Sequence, residues 1–209
     1  ISQRSFLELY KMGRIYRKKA PFMWCPECQT AIAQVELKDI ERESHLVYIQ
    51  VEVENTDKKL VFATTRPELI YGCVGISVHP NDARYKNLVG KKVKMAVTNK
   101  SIELTADEYT DMEYGSGVVY YCSYGSVDCI EWMVRHNVRP IEIMGTDGKL
   151  NENSGIYNGM RSEEARKQVI EDLKKEGALV KLESIKHIVN AHERCETDIE
   201  YISTDQWFI

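Results

Sequence analysis

Two short clips constrain this chain more than any other feature: Cys25-Pro26-Glu27-Cys28 near one end and His192-Glu193-Arg194-Cys195 near the other. Each sets two soft or borderline donors two residues apart, the gap at which a tight turn aims both at one ion. Tetrahedral zinc takes four such ligands, and three cysteines with one histidine form a recognised structural set. Most of the chain lies between the clips, so a shared ion would draw its two ends together. That is the geometry of a domain inserted into a larger protein. The plainer alternative is a buried cysteine pair, an unrelated surface histidine, and further cysteines that only pack.

At 209 residues the chain can bury a full core, either as one large domain or as a core with a small appended module. Its 43% hydrophobic and 29% charged content is that of an ordinary soluble globular sequence. No apolar run is long enough to span a bilayer, and no signal peptide opens the chain. Six irregularly spaced cysteines, two of them in a CxxC, suit a reducing, cytoplasmic setting with a metal rather than a secreted disulfide framework. The net charge of −4 argues against a domain that grips nucleic acid mainly through phosphates. Ile1 has almost no lead-in to the first helix, and Gln206-Trp207-Phe208-Ile209, an apolar strand-like run, ends without a turn. Both ends therefore read as those of an excised fragment.

The pattern in between is β-rich. Residues 46–52 alternate as a strand, with 59–64 as a hairpin partner across Asn55-Thr56-Asp57. Residues 74–78 give a third strand, ended by the turn cluster His79-Pro80-Asn81-Asp82. A second hairpin joins 93–98 to 101–104, and 117–121 is a further strand. Helices are expected over 2–13, 127–136 and 162–177, the last with Ser162 as its N-cap and Gly177 at its C-terminal end. Short strands at this density with helices outside favour an α+β class. The expected core is a mostly antiparallel, closed or nearly closed β-barrel with peripheral helices and a small zinc-ribbon-like base.

Chemistry concentrates at two strand ends. Thr64-Thr65-Arg66-Pro67-Glu68 places two hydroxyls and a guanidinium where a strand stops, Pro67 preventing further pairing. Arg66 could fork onto a phosphate or carboxylate, or be a surface arginine at a strand end. In Tyr114-Gly115-Ser116-Gly117 the glycines let backbone pass close to a ligand or to another strand. The run Cys122 to Asp128 then leads into a helix whose N-terminal amides suit an anion, with Asp128 alternatively only an N-terminal cap residue.

These residues resemble the editing domain of class I aminoacyl-tRNA synthetases of the valyl, isoleucyl and leucyl group, closest to its valyl members in their archaeal-like form. The resemblance runs through Trp24 to Ala31, Thr64 to Leu69, Val78 to Tyr85, Gly115 to Val119, His192 to Cys195 and Gln206 to Ile209. It implies a hydrolase that removes threonine from mischarged tRNA(Val). The parent would ligate valine to that tRNA with ATP, through nucleotide-binding elements that this chain lacks. For a valyl enzyme it is established that an apolar pocket rejects the added hydroxyl only about 10²-fold, so a second, hydrolytic site is needed. The isoleucyl counterpart, acting on valyl-tRNA(Ile), is the alternative, as is a degenerate fold that holds the tRNA end without cleaving it. A generic zinc-stabilised interaction module fits the Thr-Thr-Arg-Pro and Gly-Ser-Gly elements less well.

Residue by residue, the resemblance implies Asp128, Thr64 and Thr65 as catalytic positions, Asp128 holding the substrate's ammonium group. It implies Arg66, Glu68, Tyr114, Gly115, Ser116, Tyr120 and Ser126 as substrate-binding positions, and Cys25, Cys28, His192 and Cys195 as ligands of a structural zinc. No metal is implied in the hydrolysis. Ser116 replaces a common threonine, while Tyr120 and Ser126 stand where bacterial valyl members carry lysine and aspartate. A gap-free alignment puts Cys129 in the aspartate's slot, so Asp128 fills that role only if the loop is one residue shorter. Residues 1–35 and 185–209 would form the base that joins a catalytic core, and 36–184 the barrel. The implied partners are the tRNA 3′ end and the parent's catalytic and anticodon-binding domains, in a monomeric protein.

Overall fold

The computed structural model describes residues 1–113 and 115–209. In chain order its elements begin with α1 (Ser2–Lys11), β1 (Tyr16–Cys25), β2 (Thr30–Ala31), β3 (Leu37–Val53), β4 (Lys59–Thr64) and β5 (Cys73–Val78). There follow β6 (Lys92–Lys94), β7 (Ser101–Ala106), β8 (Val118–Cys122), α2 (Val127–Arg135), α3 (Ser162–Lys175), β9 (Leu179–His192) and β10 (Glu200–Phe208). The expected α+β class holds. A curled sheet in the order β4-β3-β6-β7-β5-β8 makes the body, with β9 also paired to β3, and a three-stranded sheet β10-β1-β2 makes the base.

The strand directions show how the body closes. Every ladder in the curled sheet is antiparallel except β5 with β7, so its two terminal strands, β4 and β8, run the same way. They lie side by side: the Phe62 and Tyr120 rings stack with centroids 4.8 Å apart, and Ser116 Oγ donates to Val61 O. The sheet path nonetheless ends at these two strands, which leaves a half-barrel with one seam rather than the fully closed barrel among the outcomes expected.

Alternation explains the core. In the second half of β3, Val47, Ile49, Val51 and Val53 are buried at every second position, opposite Leu60 and Phe62 of β4. Helix α2 buries Cys129, Trp132 and Met133, and α3 buries Ala165, Val169, Ile170 and Leu173, one stripe each. Trp132 lies flat against β5 where Gly75 has no side chain; a Cβ there would fall inside the indole. The same ring stacks on Tyr121 at 4.5 Å and on His136 at 4.4 Å, tying α2 to β8.

Three expectations need correction. The first is β3, which starts at Leu37, not Leu46, because its first half pairs with β9 from Leu37↔His192 onward. Next, β6 stops at Lys94, since Val97 and Asn99 take positive φ and turn the chain before β7. Finally, Ser162 is the first residue of α3 rather than its N-cap; Arg161 stands at the N-cap position without a capping side-chain bond, and Ser162 Oγ lies 3.5 Å from a Glu200 oxygen. The strands β1 and β9 were not anticipated, and β10 was seen only at its end. Pro21 fits within β1 because the missing N–H falls where β2 does not pair.

The base docks on the body through side chains. Trp24 Nε1 donates to Thr146 O at 2.8 Å, and Lys19 pairs with Glu142 at 3.1 Å. No helix among the described residues is long and apolar enough to cross a membrane.

Candidate functional site

The two clips meet. Cys25 ends β1 and His192 ends β9, so each clip begins at the last residue of a strand whose pairing fixes its position. The Cys28 N–H points back at Cys25 Sγ over 3.4 Å, the turn expected when both sulfurs face one point. The four donor atoms of Cys25, Cys28, His192 and Cys195 all lie within 4.8 Å of one another. Sulfur separations are 3.5 Å for Cys25–Cys195 and 3.7 Å for Cys28–Cys195. His192 Nδ1 is 3.5 Å from Cys28 Sγ and 3.4 Å from Cys195 Sγ. Tetrahedral zinc bonds of about 2.3 Å to sulfur and about 2.0 Å to nitrogen imply spacings of about 3.8 and 3.6 Å, so this set can hold a metal ion. The alternative of an unrelated surface histidine is excluded, since His192 is buried.

The second site lies along the seam. Val61 neighbours Ser116 at one end, and toward the other the Thr64–Arg66 strand end lies beside Tyr120 and Cys122, whose thiol feels the Arg66 charge. Thr64 and Thr65 are half-buried there. Thr64 Oγ1 accepts the Arg66 N–H at 3.0 Å, which leaves its own proton free to donate. Gly115 is exposed and left-handed, φ 58°, while Ser116 is held by Val61. Tyr114 lies outside the described residues.

Other residues of the implied site face elsewhere. Arg66 does not present its fork to a ligand cleft: Nη2 binds both Glu200 oxygens at 2.8 and 2.6 Å, and Nε reaches Glu68 at 3.2 Å. Glu68 is fully buried and is gripped also by Arg166, at 2.8 and 2.9 Å. Burial alone would push the Glu68 carboxyl up; the Arg166 hydrogen bonds and the Arg66 charge override it and hold the group below its ordinary range. Tyr120 turns its Oη inward, where it is buried beside Cys122 without a firm partner.

The start of α2 separates two neighbours. Ser126 is the N-cap, its Oγ accepting the Cys129 N–H at 3.2 Å, so Asp128 is not the cap. Asp128 is exposed, close enough to Tyr201 of β10 to add to the upward push that burial gives that phenol. Cys129 turns inward. Sequence reasoning missed the clamp on the Gly-Ser-Gly loop. Tyr85 Oη donates to Ser116 O at 2.8 Å, and Arg84 bridges Asp82 (2.6 Å) to Met112 O (2.8 Å). The signal available was the turn cluster at 79–82 followed by two long polar side chains. The partners Glu200 and Arg166 carried no local signal, being far from Arg66 in sequence.

The sequence matches known proteins over essentially its whole length. The family model described as tRNA synthetases class I (I, L, M and V) matches residues 2–209. The chain is 47% identical over 210 residues to a valine–tRNA ligase of Pyrococcus horikoshii, covering 99% of this chain and 24% of that protein. It is 47% identical over 208 residues to the valine–tRNA ligase of Methanocaldococcus jannaschii, and 42% over 210 residues to that of Thermoplasma acidophilum. Those matches cover all of this chain and 24% and 26% of the relatives. The chain thus spans about a quarter of the length of the curated relatives it matches. With a match over all but its first residue, the chain belongs to the class I tRNA synthetases of the I, L, M and V group.

Proposed function

We propose that this chain is the editing domain of a valine–tRNA ligase, hydrolysing the aminoacyl ester of threonyl-tRNA(Val). The observation that supports it most is the seam between β4 and β8: two threonine side chains at the β4 strand end, one with its hydroxyl proton free, lie toward Tyr120 and Cys122 at one end of it, and Ser116 is bonded to Val61 at the other. A water adds to the ester carbonyl carbon, the bond to the ribose oxygen breaks, and free threonine and tRNA leave. Thr64 and Thr65 orient the ester and the water, and a pocket that hydrogen-bonds the substrate hydroxyl rejects valine, which would leave its polar groups unpaired. Asp128, in the first turn of α2, would take the substrate's ammonium group. Arg66 and Glu68 shape the floor without touching the ligand. Zinc, held by Cys25, Cys28, His192 and Cys195, would supply structure to the base, which abuts the catalytic core of the full ligase.

A second reading has one observation in its favour. Asp128 faces solvent and Cys129 turns inward, so the fold could hold the tRNA end without cleaving it. Deacylation of threonyl-tRNA(Val), with valyl-tRNA(Val) and valyl-tRNA(Ile) as controls, separates these. It is run on the chain and on the full-length ligase that the proposal implies. Selective release of threonine, slowed about 100-fold in Thr65→Ala and Asp128→Ala, supports editing. Cleavage of valyl-tRNA(Ile) instead moves the assignment to the isoleucyl branch, and retention of all three esters by both proteins supports the non-cleaving reading.

A further inference from the structure

Arg66 sets where the threonine pair stands. Thr64 is the last rung of β4, opposite Val47 of β3, and a buried 3-10 turn runs over Pro67–Gly72. Thr65 and Arg66 are all that join the ladder to that turn. The Arg66 backbone is engaged on both sides: its N–H donates to Thr64 Oγ1 at 3.0 Å, and its C=O accepts the Leu69 N–H at 3.1 Å. A shift of Arg66 therefore moves the partner of the Thr64 hydroxyl and the main chain of Thr65 together.

The side chain decides whether Arg66 can shift. Its Nε donates to Glu68 at 3.2 Å, but Glu68 is two residues away on the same segment and cannot fix that segment against the rest of the molecule. Two outer residues can. Glu200 of β10, 134 residues from Arg66, takes Nη2 on both oxygens at 2.8 and 2.6 Å. Arg166 of α3, 98 residues from Glu68, forks onto both Glu68 oxygens at 2.9 and 2.8 Å. The two cations and two carboxylates balance, and Glu68 and Glu200 are both buried. Charge-assisted bonds shielded from water in this way are short, strong and directional. Among the described residues, neither Glu200 nor Arg166 is hydrogen-bonded to Thr64 or Thr65, so their influence passes through Arg66 and Glu68.

We propose that Glu200 and Arg166 are positioning residues for the editing reaction, a role that rests on the editing reading given above. From the base and from α3 they hold Arg66 and Glu68, and so fix where the Thr64 and Thr65 hydroxyls meet the ester and its water. A misplacement of about 1 Å in groups that orient reactants costs about 100-fold in rate, even when the groups themselves are intact. Loosening Arg66 should accordingly lower kcat and leave KM nearly unchanged.

The test compares wild type with Glu200→Gln and Glu200→Asp, each as the chain and within the full-length ligase. Deacylation of threonyl-tRNA(Val) gives kcat and KM, and NMR of the chain follows exchange of the Arg66 amide proton. Glu200→Gln keeps the side chain's size and removes its charge. It should lower kcat about tenfold with KM within about twofold. It should also speed Arg66 exchange at least about tenfold, while the β3–β9 ladder keeps its protection. Glu200→Asp, which keeps the charge, should recover part of both, and Arg166→Gln should act in the same direction as Glu200→Gln. Should Glu200→Gln not fold, Glu200→Asp carries the test, with the same directions and smaller effects. No threonine release by wild type in either form would overturn the editing reading, and this role with it. Normal release by Glu200→Gln with an unmoved Arg66 amide would overturn the positioning role alone. So would a raised KM at unchanged kcat, or a loss of kcat with faster exchange throughout the β3–β9 ladder, which is general loosening of the fold.

Discussion

The metal-type cluster and the Arg66 network are both built from residues far apart in the chain, and they resolve their polar groups in opposite ways. In the network, two guanidiniums and two carboxylates answer one another: Arg66 and Arg166 hold Glu68, and Arg66 also holds Glu200. In the cluster, three thiols and an imidazole face one another, with the Cys28 N–H as a further donor to Cys25 and no protein cation among the described contacts of the sulfurs. The first arrangement is complete without a ligand, and the second is of the kind that an ion would complete. A conspicuous arginine at a strand end is therefore weaker evidence for a ligand than four donors converging on one point.

Removing the ion gives the largest expected effect. An ion present at about a thousand times its Kd stabilises by about 4 kcal/mol. For a protein this size that amounts to about 10 °C in Tm. Calorimetry of the zinc-loaded protein with and without excess chelator measures it, and an unchanged Tm would sink the comparison. Breaking the network is expected to cost about as much. Glu68→Ala leaves two arginines facing an uncompensated gap and should cost about 3–5 kcal/mol in a urea melt. Thr65→Ala, which touches no such network, should stay within about 0.5 kcal/mol.

Acid sharpens the same contrast. The Glu68 carboxyl is held below its ordinary 4.5 in the folded protein, so its stabilisation is complete above that value and is lost as pH falls through the lower, folded one. Wild type should accordingly lose stability more steeply below pH 4.5 than Glu68→Gln does, and parallel acid melts would contradict this. A small effect is also expected of Tyr120→Phe. Its Oη is buried without a firm partner, so removal should change stability by less than about 1 kcal/mol, and in either direction. A larger loss in a thermal melt would mean that the hydroxyl is satisfied after all.

Local pattern carried much of this molecule. Val47 to Val53 alternate into a core, α2 and α3 show their apolar stripes, and both metal clips are plain in the chain. What escaped was structure made by pairing at a distance. In β1 and the outer halves of β3 and β9 most side chains are at least partly exposed, so charged residues alternate with little apolar contrast. The candidate site was legible as a set of residue types but not as a set of directions. Asp128 and Cys129 are adjacent in the sequence and face opposite ways, because the Ser126 cap sets the phase of α2.

The paired outer halves of β3 and β9 have a mechanical consequence. From Leu37↔His192 to Val47↔Leu182 they form an unbroken two-stranded arm, about 34 Å long at 3.4 Å per residue. Its far end carries His192 of the metal cluster, and its near end merges with the sheet that bears the seam. Arg66–Glu200 and Trp24–Thr146 clasp base and body at other points. An arm fixed at both ends and clasped along the way is a braced frame. A twist applied at the base should therefore reach Thr64 and Thr65 as rigid rotation rather than dissipate as bending.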